Sequence, residues 1–431
     1  VSPSSPAAPA AVPAPTVGAL EARLFPLGAP PLDISRLMLP APLRPAAGLA
    51  VLDISEYFAE CSGGVRTYLM QKARYIEAHR ELRQVLVIPG VHDTVGQTEG
   101  VRAYRLHGPL IPMQKTYRFL LATRSIGRIV AHERPDVIEV GSAYFAPWLV
   151  HRATARLDVP AVWFYHSNIP RVFAPRGERD VLLRRAAAAA GWAYVRRIAA
   201  TVHTTIVASE FVARDLERAG ISRIAHVPLG VDTALFHPAR RAARVETRLR
   251  YGLADGPLAL FVGRFSPEKD LFTLIRGWPA VYRRTGAELA IVGDGGMRAR
   301  IARAAAASSG VRLLPFETDR SALADLYAAA DLLVSSGPTE TFGLAALEAM
   351  ASGTPVLSCD EGGVAETVRR SGAGALYAAG DAGALADAAI ALIGGDLDAL
   401  GRRGREHAER HHTWERVFDR IVEVYRGVIA G

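Results

Sequence analysis

Residues Ser335 to Val368, SSGPTETFGLAALEAMASGTPVLSCDEGGVAETV, constrain the fold more than any other stretch of the chain. The run before them, Asp331-Leu332-Leu333-Val334, is short and apolar and predicts a buried parallel strand. Phe342 to Ala351 then carries apolar residues at helical spacing, and Gly353 and Pro355 stop that helix. Val356 and Leu357 open the next strand. Strand, loop, helix and strand in this order put the loop and the helix start at the carboxyl end of a parallel sheet, where open α/β folds bind ligands.

Two carboxylates punctuate the stretch, Glu340 in the loop and Glu348 on the second helical turn. Between them Gly343 lets the backbone come close to a ligand, and the amides of Phe342, Gly343 and Leu344 point out of the helix start, a ready anion site. An anion flanked by two carboxylates that accept hydroxyl hydrogen bonds describes a nucleotide-diphosphate sugar. Two glutamates eight apart are common on solvated helices. The specificity comes from Phe-Gly soon after the first and Glu-Ala-Met-Ala-Ser-Gly-Thr-Pro-Val from the second onward. With those residues in place, the stretch closely resembles the signature of the retaining glycosyltransferases of family 4, which share the GT-B fold.

A length of 431 residues suits two α/β domains and a tail, and a hydrophobic share of 50% is ample for two cores. No apolar run is long and charge-free enough to span a bilayer. Cys61 and Cys359 lie far apart and form no CxxC pair, so neither a disulfide framework nor a zinc site is expected, and a reducing, cytoplasmic setting is the default. The net charge of +8, mostly arginine, fits nucleic acid, an anionic membrane or an anionic substrate. No zinc-finger, RRM or KH pattern accompanies it, which ranks nucleic acid low. A genome rich in GC also inflates Ala and Arg without function.

From the amino end, Val1 to about Ala47 is rich in Pro, Ala and Ser and predicts a mobile tail, with the packing of Leu32 to Leu43 left open. It lacks a basic start followed by an apolar core, so a secretory signal is not expected. The fold begins with the strand Gly48–Ile54, a loop, and a helix from Val65 to about His79. Gly63 and Gly64 precede that helix; they read as a plain tight turn or as backbone that hugs a phosphate or acceptor. No full G-x-G-x-x-G is present, so a dinucleotide cofactor is not supported. Strands are predicted at 84–88, 101–106 and 137–140. A helix is predicted from Met113 to His132 with Lys115, Arg118, Arg124 and Arg128 among apolar residues. Its favoured reading is a solvated face; the sharper one is a peripheral contact with anionic lipid head groups, at the inner face of a membrane.

Ala161–Tyr165 is another buried strand, followed by His166-Ser167-Asn168. A histidine there faces the ligand side, though alone it reads more often as a satisfied structural histidine than as a catalytic one. The resemblance of FYHSN to the family's donor-sugar histidine implies a hydrogen bond to a sugar hydroxyl or a proton transfer at its usual pKa. Residues 226–238, HVPLGVDTALFHP, read as a hinge, with Gly230 taking an unusual backbone angle. After the strand 257–262, Gly263-Arg264 and Lys269 set two cations at a strand's carboxyl end, suited to a diphosphate or simply exposed charge. Leu289 to Gly296 repeats the strand-to-glycine pattern, with Gly293 expected in close packing beneath a nucleotide. Phe316 reads equally as a cover for the base or as core. Asp396-Leu397-Asp398 mimics a metal-binding Asp-x-Asp but lies away from any strand end and reads as surface charge.

The resemblance covers nearly the whole chain from about Gly48. It implies a GT-B fold of two facing Rossmann-like domains, an acceptor domain over 48–228 and a nucleotide-sugar domain over 229–411. A last segment, 412–431, would cross back onto the first domain. It implies donor contacts from Gly63, Gly64, Arg264, Lys269, Gly293, Phe316, Glu340, Thr341, Phe342, Gly343, Leu344 and Glu348. Catalytic roles are implied for His166, Arg264, Lys269 and Glu340. Fixed cations and amides stabilise the departing diphosphate, so neither metal nor cofactor is expected. The acceptor would be a lipid or glycan, attacked from the same face with the donor's own phosphate taking the proton. The stretches SGGVRTYLMQKARY, FYHSNIPR and LGVDTALFHPARR resemble bacterial mannosyltransferase-like members, which leans the donor towards GDP-mannose with UDP-glucose next. Two other classes stay open, a non-transferring GT-B enzyme such as a nucleotide-sugar epimerase and a catalytically dead binding protein. The intact Glu340, Arg264 and Lys269 argue against both.

Overall fold

A computed structural model describes residues 16–431 apart from 27, 35, 37, 44–47, 59–62, 113, 155–156 and 174–180. By compactness the chain divides into a unit ending at Pro160 and a unit running from Ala161 to Gly431.

In the first unit, chain order is α1 (Val17–Leu24), β1 (Leu49–Ile54), α2 (Gly64–Ala78), β2 (Leu82–Gly90), β3 (Thr94–Gln97), β4 (Val101–His107), β5 (Leu110–Ile111), β6 (Gln114–Arg118), α3 (Thr123–Glu133), β7 (Val137–Val140) and α4 (Ala146–Thr154). The sheet runs β7–β1–β2–β4–β3, parallel except at the β3 edge. Every residue of β1 is buried, as expected for a parallel strand covered on both faces. Helix α2 is tied to this sheet by polar groups one turn apart. Lys72 Nζ lies 2.6 Å from Asp53 of β1, and the Tyr68 hydroxyl donates to Glu139 of β7 at 3.0 Å.

Two expectations for the first unit need correction. Gln114–Arg118 forms not a helix but an antiparallel pair with Leu110–Ile111, and helix α3 starts only at Thr123. The β-favouring pair Thr116-Tyr117 has an apolar strand partner across the turn at Pro112, and pairing overrides the helical spacing. The four cations therefore do not share one helical face. The tail expectation also fails over the described residues of 16–31, and the packing left open for 32–43 is present at its described residues. Thr16 caps α1, Leu20 and Leu24 are wholly buried, and Ile34 and Leu43 are buried too. The Leu43 amide donates to Glu133 at 2.7 Å. Leucines one turn apart on a capped helix supply the apolar face that holds the segment down. Residues 1–15 and 44–47 of the expected tail, and Cys61, lie outside the described residues.

The second unit opens with β8 (Ala161–Phe164), α5 (Ile169–Phe173), α6 (Val181–Ala199), β9 (Thr204–Val207), α7 (Glu210–Arg218) and β10 (Ile224–His226). It continues with α8 (Arg244–Arg250), β11 (Leu258–Val262), α9 (Leu271–Thr285), β12 (Glu288–Val292), α10 (Arg298–Ala306), β13 (Val311–Leu313), α11 (Arg320–Ala329) and β14 (Leu332–Ser335). The rest is α12 (Leu344–Ala351), β15 (Val356–Cys359), α13 (Gly363–Ser371), β16 (Gly374–Tyr377), α14 (Ala382–Ile393), α15 (Leu397–His411) and α16 (Trp414–Ala430). Strands β10–β9–β8 pair in parallel, and a six-stranded parallel sheet has the order β13–β12–β11–β14–β15–β16. Its core is built on Trp278, Leu274, Ile291, Val334 and Leu385.

The expected boundary at 228/229 is one of topology, where β10 ends one set of strands and β11 begins another. Compactness groups 161–228 with the rest of the second unit because α7 is bonded to α13. The Phe211 amide donates to Glu366 at 3.1 Å, and Arg370 pairs with Glu210. Late in the chain, Val231 bridges Thr413 in parallel, its amide donating to the His412 carbonyl at 2.7 Å. Gly230 is explained by this crossing, though not by an unusual angle. A Cβ there would stand 2.7 Å from the Trp414 ring.

Candidate active site

The loop 336–343 between β14 and α12 is held from both sides. Towards α9, the Ser336 hydroxyl donates to the Lys269 carbonyl at 2.7 Å, and a Cβ on Gly337 would meet the Glu268 carbonyl at 2.8 Å. Towards α13, the Gly363 amide donates to the Glu340 carbonyl at 2.8 Å. These contacts bring Lys269 Nζ against Glu340 Oε2 in an ion pair whose two side chains are each only partly exposed. Arg264, on the same β11–α9 connection, reaches Glu268 at 3.3 Å and is more than half exposed.

Gly343 ends the loop in the left-handed region, φ 94°, where a Cβ would lie 2.2 Å from Val364 Cγ2. A glycine is required there on both counts. The first ladder bonds of α12 run from the Ala346 and Leu347 amides to the Gly343 carbonyl. The Gly343, Leu344 and Ala345 amides thus precede the helix's own ladder at its positive end. Phe342 is buried and packs against the His412 ring at 5.7 Å, so it anchors the loop through apolar contact.

Thr341 connects this loop to the strands of the unit's first part. Its hydroxyl donates to the His166 carbonyl at 3.0 Å, and its own carbonyl accepts from Ser209 Oγ at 2.6 Å. His166 and Glu340 are therefore separated by one hydrogen-bonded residue. The His166 ring is half-buried and stacks on Phe164 with centroids 4.2 Å apart.

Glu348 is 5% exposed, and both its oxygens are engaged. Oε1 accepts from Arg320 and Oε2 from the Tyr327 hydroxyl, each at 2.9 Å. Burial and the adjacent carboxylate push the Tyr327 hydroxyl well above its usual pKa. Burial works against the Arg320 charge, but Glu348 outweighs it and the guanidinium ends above its ordinary value. Sequence reasoning missed Arg320 and Tyr327. The readable signal was their spacing of seven, which puts both on one face of α11.

Gly293 is required by close approach, since a Cβ would stand 1.9 Å from the Gly263 carbonyl. Phe316 is 43% exposed on the loop after β13, which removes the core alternative. In the first unit, Gly63 caps the start of α2 at φ −79°, both glycines are exposed, and no described atom lies within 4 Å of where a Gly63 Cβ would stand. Asp396 caps α15 by accepting from the Ala399 amide at 2.8 Å, a structural role. Among the described residues no group of three His, Cys, Asp or Glu side chains could hold a metal ion, and no helix is long and apolar enough to cross a membrane.

Two family models match, glycosyltransferase family 4 over residues 62–235 and glycosyl transferases group 1 over residues 256–394. A GDP-mannose-dependent alpha-(1-6)-phosphatidylinositol dimannoside mannosyltransferase of Mycobacterium tuberculosis is 31% identical over 382 residues, covering 85% of this chain and 93% of that protein. The corresponding monomannoside mannosyltransferase of the same organism is 32% identical over 304 residues, 64% of this chain and 78% of that one. Among solved structures, sucrose-phosphate synthase from Thermosynechococcus elongatus superposes with a TM-score of 0.74 at 23% identity, over 89% of this chain and 99% of its own. That likeness carries the fold, an α/β GT-B architecture of two Rossmann-like domains. Matched in both halves, and similar to a relative over nearly all of that relative's length, the chain belongs to the family 4 glycosyltransferases.

Proposed function

We propose that this glycosyltransferase moves mannose from GDP-mannose to a lipid acceptor of the phosphatidylinositol mannoside type, retaining anomeric configuration and using no metal ion. One observation carries the reading. Lys269 and Glu340 meet beside the amide end of α12, with Arg264 on the same connection as Lys269.

Breaking the sugar–phosphate bond builds charge on the departing diphosphate, and fixed donors aimed at that charge lower the barrier. Lys269, Arg264 and the α12 amides supply such donors, which makes a metal unnecessary. Before the donor arrives, Lys269 and Glu340 neutralise each other. The diphosphate then takes Lys269, and the sugar hydroxyls take Glu340, which orients the sugar towards the acceptor. Glu348, kept in place by Arg320 and Tyr327, keeps lone pairs for the ribose hydroxyls. His166, tied through its carbonyl to Thr341, offers its ring to a sugar hydroxyl. The acceptor attacks from the face the phosphate leaves, and the leaving phosphate takes its proton. The activities for which the two mycobacterial relatives are named support GDP-mannose and the lipid acceptor.

Calorimetric titration with GDP, UDP, ADP and their common sugar conjugates, without metal, tests this. Selective binding of GDP and GDP-mannose is expected. Selective UDP binding would move the donor to UDP-glucose, and no nucleotide binding would remove the transferase reading. Product analysis by anomeric NMR tests retention, and transfer that stops with EDTA and returns with a divalent ion would overturn metal independence.

A further inference from the structure

In the first unit, β1 and its parallel neighbour β7 end at Ile54 and Val140, and the turns beyond them gather around one carboxylate. Glu56 is wholly buried. Its Oε2 accepts from Ser142 Oγ at 2.9 Å and the Ala146 amide at 3.3 Å, and Oε1 accepts from the Leu120 amide at 3.4 Å. The Phe145 amide reaches both oxygens, at 3.1 and 3.2 Å. The Glu56 amide returns a bond to Ser142 Oγ at 3.1 Å. Burial pushes this carboxyl's pKa up, against the pull of its four donors. One side chain therefore fastens the β1–α2 turn, the segment after β6 and the start of α4.

Those three segments, with Tyr117 of β6, present a cluster of rings. Tyr57 packs on Tyr144 and Tyr117 with centroids 5.4 and 6.1 Å apart, and Phe119 on Tyr144 and Phe145 at 5.8 and 5.2 Å. All four contacts are edge-on, with interplanar angles from 69° to 87°. The rim is apolar and open to solvent. Phe145 is 44% exposed, Leu121 is 48% exposed, and Leu110, brought beside Phe119 by its neighbour Pro109, is 47% exposed. Single exposed apolar side chains need no explanation, but three around a ring cluster that a buried carboxylate assembles do. The location is the carboxyl end of parallel strands, the ligand side of an α/β unit.

We propose that Leu110, Leu121 and Phe145 seat the apolar chain of a lipid acceptor, and that Glu56 is the positioning residue that sets this seat. The inference rests on the transferase reading above. Rings locked edge-on to one another offer no broad flat face for a sugar ring, whereas leucine tips and ring edges suit a hydrocarbon chain. Arg124, exposed in the first turn of α3 three residues past Leu121, suits the anionic head group that such a chain carries.

The test compares transfer to a detergent-dispersed phosphatidylinositol mannoside with transfer to its deacylated, water-soluble head group, using the nucleotide sugar selected by titration. Phe145→Ala and Leu121→Ser should each raise KM for the acylated acceptor about tenfold, the loss expected for removing one large apolar contact. KM for the deacylated head group and the affinity for nucleotide should stay as in the native chain. Glu56→Gln should raise the same KM with kcat and nucleotide affinity little changed, a split that general loosening would not produce. Unchanged KM in the Phe145 and Leu121 variants, or equal loss on both acceptors, would overturn the seat alone. Failure of the native chain to transfer to either acceptor from any nucleotide sugar would overturn the transferase reading and the seat with it.

Discussion

Glu348 and Glu340 differ in what holds them, and that difference decides how each responds to substitution. Glu348 is buried and bonded to Arg320 and Tyr327. Tyr327→Phe leaves one carboxylate oxygen with a donor removed. A loss of about 1–2 kcal/mol in stability is expected, together with weaker nucleotide binding, readable by urea denaturation and calorimetry on one sample. Glu340 is partly exposed and its carboxylate pairs with Lys269, so Glu340→Gln and Lys269→Ala should leave the melting temperature nearly unchanged. On the proposed transferase reading, turnover of each should fall at least about 100-fold, since one group would orient the sugar and the other would balance the departing charge. A folded variant that turns over at the native rate would remove the role. Glu340 and Glu348 were legible because their spacing to Phe342 and Gly343 is distinctive, and Lys269 because it follows Gly263-Arg264 at a strand's end. Arg320 and Tyr327 were not, since an arginine and a tyrosine on an Ala-rich helix resemble any amphipathic face until the helix is docked.

At the scale of elements, the loop 336–343 gains its shape from neighbours on separate strand-to-helix connections. Gly343→Ala combines a left-handed backbone with a Cβ placed against Val364 Cγ2. It should cost on the order of 2 kcal/mol or more and weaken nucleotide binding with it. Adding Val364→Ala should recover part of the stability by relieving the clash, and a double variant no more stable than the single one would locate the cost in the backbone. The strand–loop–helix–strand unit around this glycine was legible because apolar period, glycine and proline all agreed. The segment 113–132 was not. Its apolar residues keep helical spacing, and only the partner run Leu110–Ile111 turns Gln114–Arg118 into a strand. Pairing across a turn is a tertiary preference that no window of local spacing contains. For the same reason α1 was hidden in a Pro- and Ala-rich stretch, where composition outweighed two buried leucines.

Across the whole molecule, the crossing near Gly230 is where acid should act. His412 is buried, its Nδ1 faces the Leu229 carbonyl at 3.0 Å, and its Nε2 meets His407 Nε2 at 3.2 Å. Burial and the neighbouring histidines push His412 down to about 4, and His407 also falls to about 4. A depressed histidine leaves stability intact above pH 6.5. Below that, the unfolded chain takes up a proton that the folded one refuses. Stability should then fall by about 1.4 kcal/mol per pH unit for His412 down to about pH 4, with a smaller contribution from the more exposed His407. Urea midpoints at pH 7.5 and pH 5 measure this, and His412→Asn should flatten the slope. An identical slope in that variant would assign the acid sensitivity elsewhere.

The crossing also sets a clock on the ribosome. His412 and Leu229 are 183 positions apart, and at ordinary elongation rates that gap takes roughly 10–40 s to translate. In the later part of that interval Phe342 is already made but its ring partner at position 412 is not. The nascent chain thus carries a finished six-stranded sheet whose 336–343 loop still lacks one of its anchors, and that anchor arrives only when His412 has been made.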